Sequence, residues 1–228
     1  MTKLKYRSVL VASLVSQEEP WIQRFLDCLT RLDYPRHAIR HAFVEGKNTG
    51  ENVSLLHEWA KADTWIKEAN PPITNRFEKL AHLRNLIIDE AYPIRNEDYN
   101  LWIDSDVVEF PPSLIKDLMK HKVPVVAPSV WIEGTNQFYD TLAFRDTHGR
   151  TVPAFNLPYK GLIEMGSVGT CYMVASKLYT KNNIRYRGGD SEQVMFCSEA
   201  RKLGQRVYAD FDIRIKHANL PWYGCRFH

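Results

Sequence analysis

The 228-residue sequence lacks the long apolar stretch that a membrane-spanning helix needs. No segment approaches the roughly 20 consecutive apolar residues that cross a bilayer. The N-terminal stretch MTKLKYRSVLVASLVSQEEP is basic and then apolar, but Ser13 and Ser16 interrupt the apolar run and no convincing cleavage site follows. We therefore do not interpret it as a signal peptide, and we expect a cytoplasmic protein or at most one peripheral to a membrane.

Cysteine is scarce and scattered. The four cysteines, Cys28, Cys171, Cys197 and Cys225, form no C-x-x-C pair. This spacing argues against a zinc knuckle and against a dithiol redox motif. Buried free thiols in a reducing compartment are the expected arrangement.

The sequence also lacks the glycine-rich motifs that bind phosphate in two large enzyme classes. No G-x-x-x-x-G-K-[ST] occurs, which argues against a P-loop, and no G-x-G-x-x-G occurs, which argues against a dinucleotide oxidoreductase. The net charge of +3 permits a polyanionic partner but does not indicate one. Hydrophobic content of 44% and charged content of 25% are ordinary for a soluble globular protein.

Strand-like and helix-like segments alternate along the chain. Residues 6–15 are β-branched and apolar, as in a strand buried on both faces, and residues 17–32 have apolar side chains at helical spacing, with Pro20 suited to a first turn. Residues 133–161 show little periodicity, so we predict a long loop region with one hairpin, of a length that is often functional. Further helices are predicted at 53–62, 76–92, 111–121 and 189–204, and further strands at 39–46, 99–107, 123–132 and 205–218, with a strand entering a helix at 166–179. The alternation predicts an α/β fold with a mainly parallel central sheet flanked by helices.

The segment NLWIDSDVVEF brings Asp104 and Asp106 together after an apolar run. If the strand continues through them, side chains at i and i+2 point to the same side. Two nearby carboxylates repel unless a cation relieves them, and Mn²⁺ or Mg²⁺ takes oxygen ligands and bridges to substrate phosphates. The alternative is a solvated turn in which Asp104 caps the next segment. The position between an apolar strand and a proline-started helix favours a metal site that holds a diphosphate.

The stretch WIDSDVVEFPPSLIKDLM, followed by VVAP, resembles the nucleotide-sugar glycosyltransferases of GT-A fold. It is most similar to the fungal mannan-polymerase type and to the glycosyltransferase domains of large algal viruses. The later GGDSEQVMFCSEARKLGQRVYADFDIRIKH fits the same pattern, so the resemblance covers about residues 6–218. It implies a single Rossmann-like GT-A domain over 1–228. Its nucleotide-binding half would be 6–110, its acceptor-side half 111–218 and its tail 219–228, and a viral source would place it in the host cytoplasm.

The resemblance implies roles for particular residues. His217, after the last strand, would complete the metal shell with Asp104 and Asp106, although a surface histidine is the simpler alternative. Arg84 has a fixed charge suited to a ribose or diphosphate, with a surface arginine as its alternative. The full set of expected donor-binding residues is Ser13, Val15, Glu18, Glu45, Arg84, Asn85, Asp104, Ser105 and Gly169.

An acidic helix start supplies the candidate catalytic residues, Asp190 and its rival Glu192. Sugar transfer to a hydroxyl needs a carboxylate that accepts the proton of the acceptor. The alternative is that these acids only stabilise the helix start, with Asp190 as its N-cap. In a retaining enzyme, as the fungal relatives are, the acid would instead orient the donor or the acceptor sugar.

The predicted function is a metal-dependent glycosyltransferase that moves a sugar from a nucleoside-diphosphate sugar to an acceptor hydroxyl. A UDP-sugar is the favoured donor and GDP-mannose its rival, because the fungal relatives use it. The acceptor is a glycan, a lipid-linked sugar, a protein or modified DNA. Two alternatives remain. A sugar-nucleotide nucleotidyltransferase would need a glycine-rich, basic loop after the first strand, where this chain has SLVSQEEP; the other is a catalytically inactive sugar- or nucleotide-binding module.

Overall fold

The computed structural model describes residues 6–15, 21–46 and 51–219. One sheet of nine strands runs through this part of the chain in the order β3-β2-β1-β4-β8-β6-β9-β5, with β7 also paired to β9. The strands are β1 Val9–Val15, β2 Ile39–Glu45, β3 Trp65–Glu68, β4 Tyr99–Ile103, β5 Val107–Glu109, β6 Val125–Ile132, β7 Leu162–Met165, β8 Cys171–Ala175 and β9 Val207–His217. The helices are α1 Ile22–Thr30, α2 Glu51–Trp59, α3 Arg76–Leu86, α4 Leu114–Met119, α5 Lys177–Thr180 and α6 Glu192–Lys202.

The first half of the sheet is parallel. β1 pairs with β2 and β4, and β2 pairs with β3, all in parallel register. β1 is buried along almost its whole length, as its continuous apolar run predicts for a strand between two neighbours. The carboxyl ends of these strands therefore lie along one edge, the place where open α/β sheets bind ligands.

The second half of the sheet is mixed. β8 runs antiparallel to β4 and β6, β6 runs parallel to β9, and β5 and β7 run antiparallel to β9. β9 is eleven residues long, and its pairing with three strands brings the end of β9 back beside the segment that follows β4. The fold class is as predicted, a single α/β domain with a largely parallel sheet, and each antiparallel pair includes β8 or β9.

Two short strands, the end of one strand and the length of one helix differ from the sequence-based expectation. β3 and β7 have four residues each and lie where no strand or helix was predicted, because four partly exposed residues give no usable periodicity. β4 ends at Ile103, so the strand predicted to continue to residue 107 stops before the acidic pair. α4 is shorter than its predicted span of 111–121, because Pro111 and Pro112 precede it in a turn.

The long loop between β6 and β7 is packed on the core and contains more turns than the single hairpin predicted. Phe138 forms an antiparallel bridge with Trp131, and Arg145 forms another with Thr151. Phe138 and Phe144 are fully buried, with ring centroids 5.1 Å apart. These rings anchor residues 138–144 against the end of the sheet where β6 and β9 finish.

Cys28, Cys171 and Cys197 are buried free thiols, as predicted, and Cys225 lies outside the described residues. Over residues 6–15, 21–46 and 51–219, no helix has the length and apolar character needed to cross a bilayer.

Candidate active site

A tight turn, not an extended strand, sets the positions of the acidic pair. The backbone N–H of Val107 donates to the carbonyl of Asp104 (3.1 Å), and the N–H of Asp104 donates to the carbonyl of Thr170 (2.9 Å). The Ser105 hydroxyl, predicted to bind the donor, donates to the carbonyl of Leu14 (2.9 Å) and ties the turn to the end of β1. The expectation that strand alternation aims both carboxylates at one point is therefore wrong, and each has its own partner.

Asp106 faces His217. Its Oδ2 lies 2.9 Å from Nε2 of the imidazole, while Nδ1 of the same ring lies 2.8 Å from the carbonyl of Ala218. Because a carbonyl only accepts, Nδ1 carries the proton, and Nε2 of the neutral ring points a lone pair at the carboxylate. Within the described residues, neither Nε2 nor the buried Asp106 Oδ1 has an aligned hydrogen-bond partner.

The backbone and the charges around His217 reinforce this pairing. The N–H of Ala218 donates to the carbonyl of Asp106 (2.8 Å), and His217 lies opposite Val107 in the β5–β9 ladder. Burial disfavours the charged imidazolium, but the Asp106 carboxylate outweighs it and raises the pKa of His217 above its ordinary value. A positive charge between Asp106 and His217, whether a proton or a metal ion, would therefore stabilise the pair.

Arg84 connects the acidic turn to the start of α6. Its Nη2 donates to Asp104 Oδ1 and its Nε to Glu192 Oε1, both at 3.1 Å, and its guanidinium lies 4.8 Å from the centre of the Trp102 ring. The side chains of Arg84 and Glu192 are 2% and 1% exposed, so the surface alternative for this arginine is wrong. Nη1 is buried with no hydrogen-bond partner in the described part of the chain.

Asp104 is the more perturbed of the two aspartates. Its side chain is 31% exposed, yet burial of the carboxyl group raises the pKa of Asp104 to about 7, helped by Asp106 and Glu192 and opposed by Arg84. The Arg84 guanidinium thus pairs with both Asp104 and Glu192, and the Asp106 carboxylate lies near Asp104. Such crowding of acids is typical of a site that receives a cation.

The chain supplies only part of a metal shell. Among the residues described, no group of three or more His, Cys, Asp or Glu side chains is arranged to hold a metal alone. The orphaned Asp106 and His217 atoms are two suitable donors, and Asp104 lies beside them but contacts Arg84. Divalent cations at phosphate sites commonly take one or two protein carboxylates and complete their shell with substrate oxygens. The residues fit such a cation, and the assignment of Asp104, Asp106 and His217 as ligands stays a prediction.

Three of the expected donor-binding residues, Ser13, Val15 and Glu45, lie toward the carboxyl ends of β1 and β2. Val15 and Glu45 are the last residues of these strands and face each other in register. Ser13 is fully buried, and its hydroxyl has no partner among the described residues. Glu45 is buried as well, and Glu18 lies outside the described residues.

Asn85 and Gly169 contribute to packing. The Asn85 side-chain amide donates to the carbonyl of Tyr186 and accepts from its N–H, both at 2.9 Å, so it joins α3 to the segment before α6. A Cβ on Gly169 would lie 2.5 Å from Ala143 Cβ and 2.6 Å from Asp140 Oδ2. Glycine at 169 is needed for the loop to approach β8, and contact of Gly169 and Asn85 with a donor remains a prediction.

The two candidate bases have opposite environments. Asp190 is 68% exposed and its Oδ2 lies 3.1 Å from Arg145 Nη1, whereas Glu192 is buried and bonded to Arg84. The N-cap of α6 is Ser191, whose side chain accepts from the N–H of Val194. The alternative that Asp190 caps this helix is therefore wrong, and its carboxylate is accessible to a ligand.

Two further residues of the site come from the long loop. The Tyr139 ring stacks on the His217 imidazole with centroids 3.5 Å apart and planes 16° apart. Asp140 is 7% exposed and accepts from the Thr170 hydroxyl (2.7 Å) and the N–H of Ala143 (2.9 Å). Neither Tyr139 nor Asp140 is among the site residues expected from the sequence. An aspartate followed by Thr-Leu-Ala does suggest a local turn bonded to its own backbone, but the contact with Thr170 has no local signal.

Solved glycosyltransferase structures share this arrangement of sheet and helices. TarS of Staphylococcus aureus in complex with UDP-GlcNAc superimposes with a TM-score of 0.66 at 14% identity, covering 94% of this chain and 59% of that one. The mannosyltransferase PcManGT of Pyrobaculum calidifontis, with GDP-Man and Mn²⁺, gives 0.64 at 15% identity over 97% and 59%. GalNAc-T7 with UDP, GalNAc and Mn²⁺ gives 0.64 at 13% identity over 94% and 44%. The chain has the GT-A glycosyltransferase fold.

Sequence comparisons agree with the GT-A assignment. The sequence model of Anp1, a mannan polymerase-type glycosyltransferase family, matches residues 67–173, just under half of the chain. Human procollagen-lysine,2-oxoglutarate 5-dioxygenase 2 is 26% identical over 220 residues, which are 88% of this chain and 28% of that protein. Human procollagen galactosyltransferase 2 is 26% identical over 149 residues, 58% of this chain and 24% of that protein.

The chain spans about a quarter of the length of the curated relatives it matches. The oxidation named in the first relative therefore belongs to a much longer protein and is not carried to this GT-A domain by the alignment. The resemblance to algal virus glycosyltransferase domains stays a prediction.

Proposed function

We propose that this GT-A domain is a metal-dependent glycosyltransferase that moves a sugar from a nucleoside-diphosphate sugar to an acceptor hydroxyl. The observation that supports it most directly is the orphaned Asp106–His217 pair beside the Arg84-linked carboxylates Asp104 and Glu192. Two facing ligand atoms that need a positive charge between them, and a buried guanidinium with one nitrogen unbonded, together suit a cation and a diphosphate. The Mn²⁺ named in two neighbouring structures supports the same choice of ion, with Mg²⁺ as its substitute.

Each group at the proposed site has a distinct task. Asp106 and His217, with Asp104, would hold the divalent cation, which supplies Lewis-acid neutralisation of the charge on the departing nucleoside diphosphate. Arg84 keeps a free N–H at Nη1 for an oxygen of the diphosphate or ribose. Glu192 holds the Arg84 guanidinium in place, because its contact with Nε leaves Nη2 free to donate to Asp104.

The transfer step uses Asp190 as the general base. The acceptor oxygen bonds to the anomeric carbon while the bond from that carbon to the diphosphate oxygen breaks, and the hydroxyl proton moves to the Asp190 carboxylate. The products are the glycosylated acceptor and a nucleoside diphosphate. This assignment describes an inverting reaction. In a retaining reaction, Asp190 would bind a hydroxyl of the donor or the acceptor sugar.

The similar proteins favour particular classes of donor and acceptor. A UDP-sugar is favoured because two of the three solved neighbours described above contain UDP or UDP-GlcNAc, and GDP-mannose is the rival through PcManGT and the Anp1 match. Both curated relatives are named for procollagen, one as a galactosyltransferase and one as a lysine 5-dioxygenase. Among hydroxyl acceptors we therefore place a protein side chain, with 5-hydroxylysine in a collagen-like peptide as its first example, ahead of a glycan, a lipid-linked sugar and modified DNA.

A ligand screen followed by a transfer assay tests the proposal. Melting temperatures are measured with UDP, GDP, CDP and TDP, each with Mn²⁺, with Mg²⁺ and with EDTA. We expect UDP to stabilise the protein only when a divalent cation is present. The matching sugar nucleotides are then incubated with collagen-like peptides with and without hydroxylysine, and mass spectrometry detects an added hexose. If no nucleoside diphosphate stabilises the chain in any metal, the proposed function is wrong.

The same samples separate the alternatives. A nucleotidyltransferase would release pyrophosphate from a nucleoside triphosphate and a sugar 1-phosphate, which a coupled phosphate assay detects. An inactive binding module would be stabilised by a nucleotide but would leave every sugar nucleotide intact. Slow metal-dependent hydrolysis of a sugar nucleotide, even without an acceptor, supports the transferase over both.

A further inference from the structure

We propose that Tyr139 and Asp140, neighbours in the loop after β6, are positioning residues that hold the two halves of the candidate metal site. One half is the acidic turn after β4, and the other is His217 at the end of β9. The inference rests on the proposed function for the identity of what the site binds, whereas the contacts that carry it are properties of the chain alone.

Asp140 clamps Thr170 from a buried position. Its Oδ2 accepts the Thr170 hydroxyl at 2.7 Å, and its Oδ1 accepts the N–H of Ala143 at 2.9 Å. Gly169 makes this approach possible, since a Cβ there would lie 2.6 Å from Asp140 Oδ2. Both oxygens of a 7% exposed carboxylate are thus engaged inside the protein, which makes Asp140 poorly suited to act on a substrate directly.

The clamp matters because Thr170 has a rare backbone conformation. Its φ is +53°, in the left-handed region that β-branched residues seldom adopt. In that conformation its carbonyl accepts the N–H of Asp104 at 2.9 Å. The hydroxyl bond to Asp140 offsets the strain, so Asp140 indirectly fixes the backbone of the first aspartate of the site.

Tyr139 acts on the other half of the site. Its ring covers one face of the His217 imidazole, and its own N–H donates to the carbonyl of Val130 at 2.9 Å, which holds Tyr139 beside β6. The neighbouring Phe138 is buried against Phe144 and prevents this segment from lifting off. His217 is therefore held by its Nδ1 contact to Ala218 and by a ring stacked on its face.

One loop segment thus contacts both halves, which come from strands at different places in the sheet. The halves meet each other at Asp106, through the side chain of His217 and the N–H of Ala218. Groups that orient metal ligands without touching the metal commonly change affinity by about 10- to 100-fold when removed. Tyr139 and Asp140 are placed to have this effect, and neither is needed as a ligand.

The first test uses the metal-free protein. Amide hydrogen exchange is followed by NMR in the wild type, in Asp140→Ala and in Asp146→Ala, a matched aspartate of the same loop that bonds only within its own turn. We expect exchange at the Asp104 amide to become about tenfold faster in Asp140→Ala and to remain unchanged in Asp146→Ala. Thr170→Val replaces the hydroxyl with a methyl group and should reproduce the effect if Asp140→Ala does not fold. Asp140→Ala/Thr170→Gly should recover part of the protection, because glycine adopts positive φ freely.

The second test measures Mn²⁺ affinity by electron paramagnetic resonance in the presence of UDP. Tyr139→Ala and Asp140→Ala should each bind Mn²⁺ at least about tenfold more weakly, whereas Tyr139→Phe, which keeps the stacked ring, should match the wild type.

The proposal is overturned if hydrogen exchange at the Asp104 amide is unchanged in a folded Asp140→Ala or Thr170→Val protein. It is also overturned if Tyr139→Phe is as damaging as Tyr139→Ala, because the hydroxyl would then be the active group. A wild type that binds no Mn²⁺ with any nucleotide would refute the proposed function. The exchange measurements would still decide whether Asp140 positions the backbone of Asp104.

Discussion

Asp106 Oδ2 and His217 Nε2 lie 2.9 Å apart, and no hydrogen of the neutral imidazole lies between them. The ring proton is on Nδ1, which donates to the carbonyl of Ala218. Two lone-pair atoms at this distance are stable only if a positive charge joins them. In the absence of a metal, that charge is a second proton on the imidazole, in agreement with the raised pKa of His217. Binding of a cation should therefore displace a proton.

Replacing Asp106 with Asn gives the sharpest test of this pair. The new amide N–H can donate to Nε2 of His217, which satisfies the ring without a cation. We expect the melting temperature of the metal-free protein to be maintained, while the affinity for UDP with Mn²⁺ falls by at least about 100-fold in isothermal titration calorimetry.

The matched control is Glu109→Gln, which removes a carboxylate from the adjacent strand, where it pairs with Lys216 at the surface. Glu109→Gln should keep the wild-type affinity. Wild-type affinity in Asp106→Asn would show that Asp106 does not bind the metal.

The sequence was sufficient for the elements whose burial follows a regular pattern. The apolar run of β1, the long alternation of β9 and the helix containing Arg84 are all present where periodicity predicts them. β3 and β7 could not be predicted, because each is a four-residue strand stabilised by its neighbour in the sheet and not by its own composition. The order of the strands could not be predicted from residue periodicity either, because β8, β6 and β9 form both parallel and antiparallel pairs.

Some contacts of the candidate site could be predicted from the sequence and others could not. Asp106 and His217 are in contact, whereas Asp104 contacts Arg84, and the assignment of all three as metal ligands stays a prediction. The contact of Arg84 with Glu192 joins residues 108 positions apart, and its burial turns a candidate surface arginine into the centre of the site. No periodicity encodes such a contact, because it depends on which side chains face each other after the sheet has formed.

The buried Arg84–Glu192 pair should be costly to break. In Arg84→Met, Glu192 is left as a buried charge without its partner, and we expect the free energy of unfolding in urea at pH 7.5 to fall by about 3–5 kcal/mol. The double variant Arg84→Met/Glu192→Leu should recover much of this loss, because it removes the stranded charge. Arg150→Met, which breaks an exposed pair with Asp146, should change little. Equal effects of Arg84→Met and Arg150→Met would contradict the assignment of Arg84 as the buried link of the site.

A histidine remote from the acidic turn predicts how stability depends on pH. Burial against Trp59 and Phe43 lowers the pKa of His41 to about 4, partly opposed by Asp63. The unfolded chain, with a histidine pKa of about 6.5, then binds a proton that the folded chain resists. This contribution to stability is fully present above pH 6.5 and is lost as the pH falls toward 4, to a maximum of about 3 kcal/mol.

The His41 effect can be isolated by comparing chemical unfolding of the wild type and His41→Phe between pH 4 and 8. Phenylalanine preserves an aromatic ring beside Trp59 but cannot be protonated. The difference in unfolding free energy between the two proteins should shift by up to about 3 kcal/mol in favour of the variant as the pH falls from 6.5 to 4. His148→Asn, at an exposed loop position, should follow the wild type at every pH. A difference between wild type and His41→Phe that is constant with pH would mean that His41 is protonated equally in both states.

The roles of the two acids at the start of α6 can be separated by kinetics. Asp190 is exposed, paired with Arg145 and not the helix cap, so Asp190→Asn should preserve the fold and the binding of UDP with Mn²⁺. If Asp190 takes the proton of the acceptor, kcat for transfer should fall by about 10²- to 10⁴-fold, with KM for the donor little changed. Asp89→Asn is the matched control, an exposed aspartate that also pairs with an arginine and lies in the helical segment that follows α3. Glu192→Gln should instead lower the melting temperature and weaken donor binding, because it loosens Arg84. Wild-type kcat in Asp190→Asn, together with a large loss of kcat in a well-folded Glu192→Gln, would transfer the role of base to Glu192.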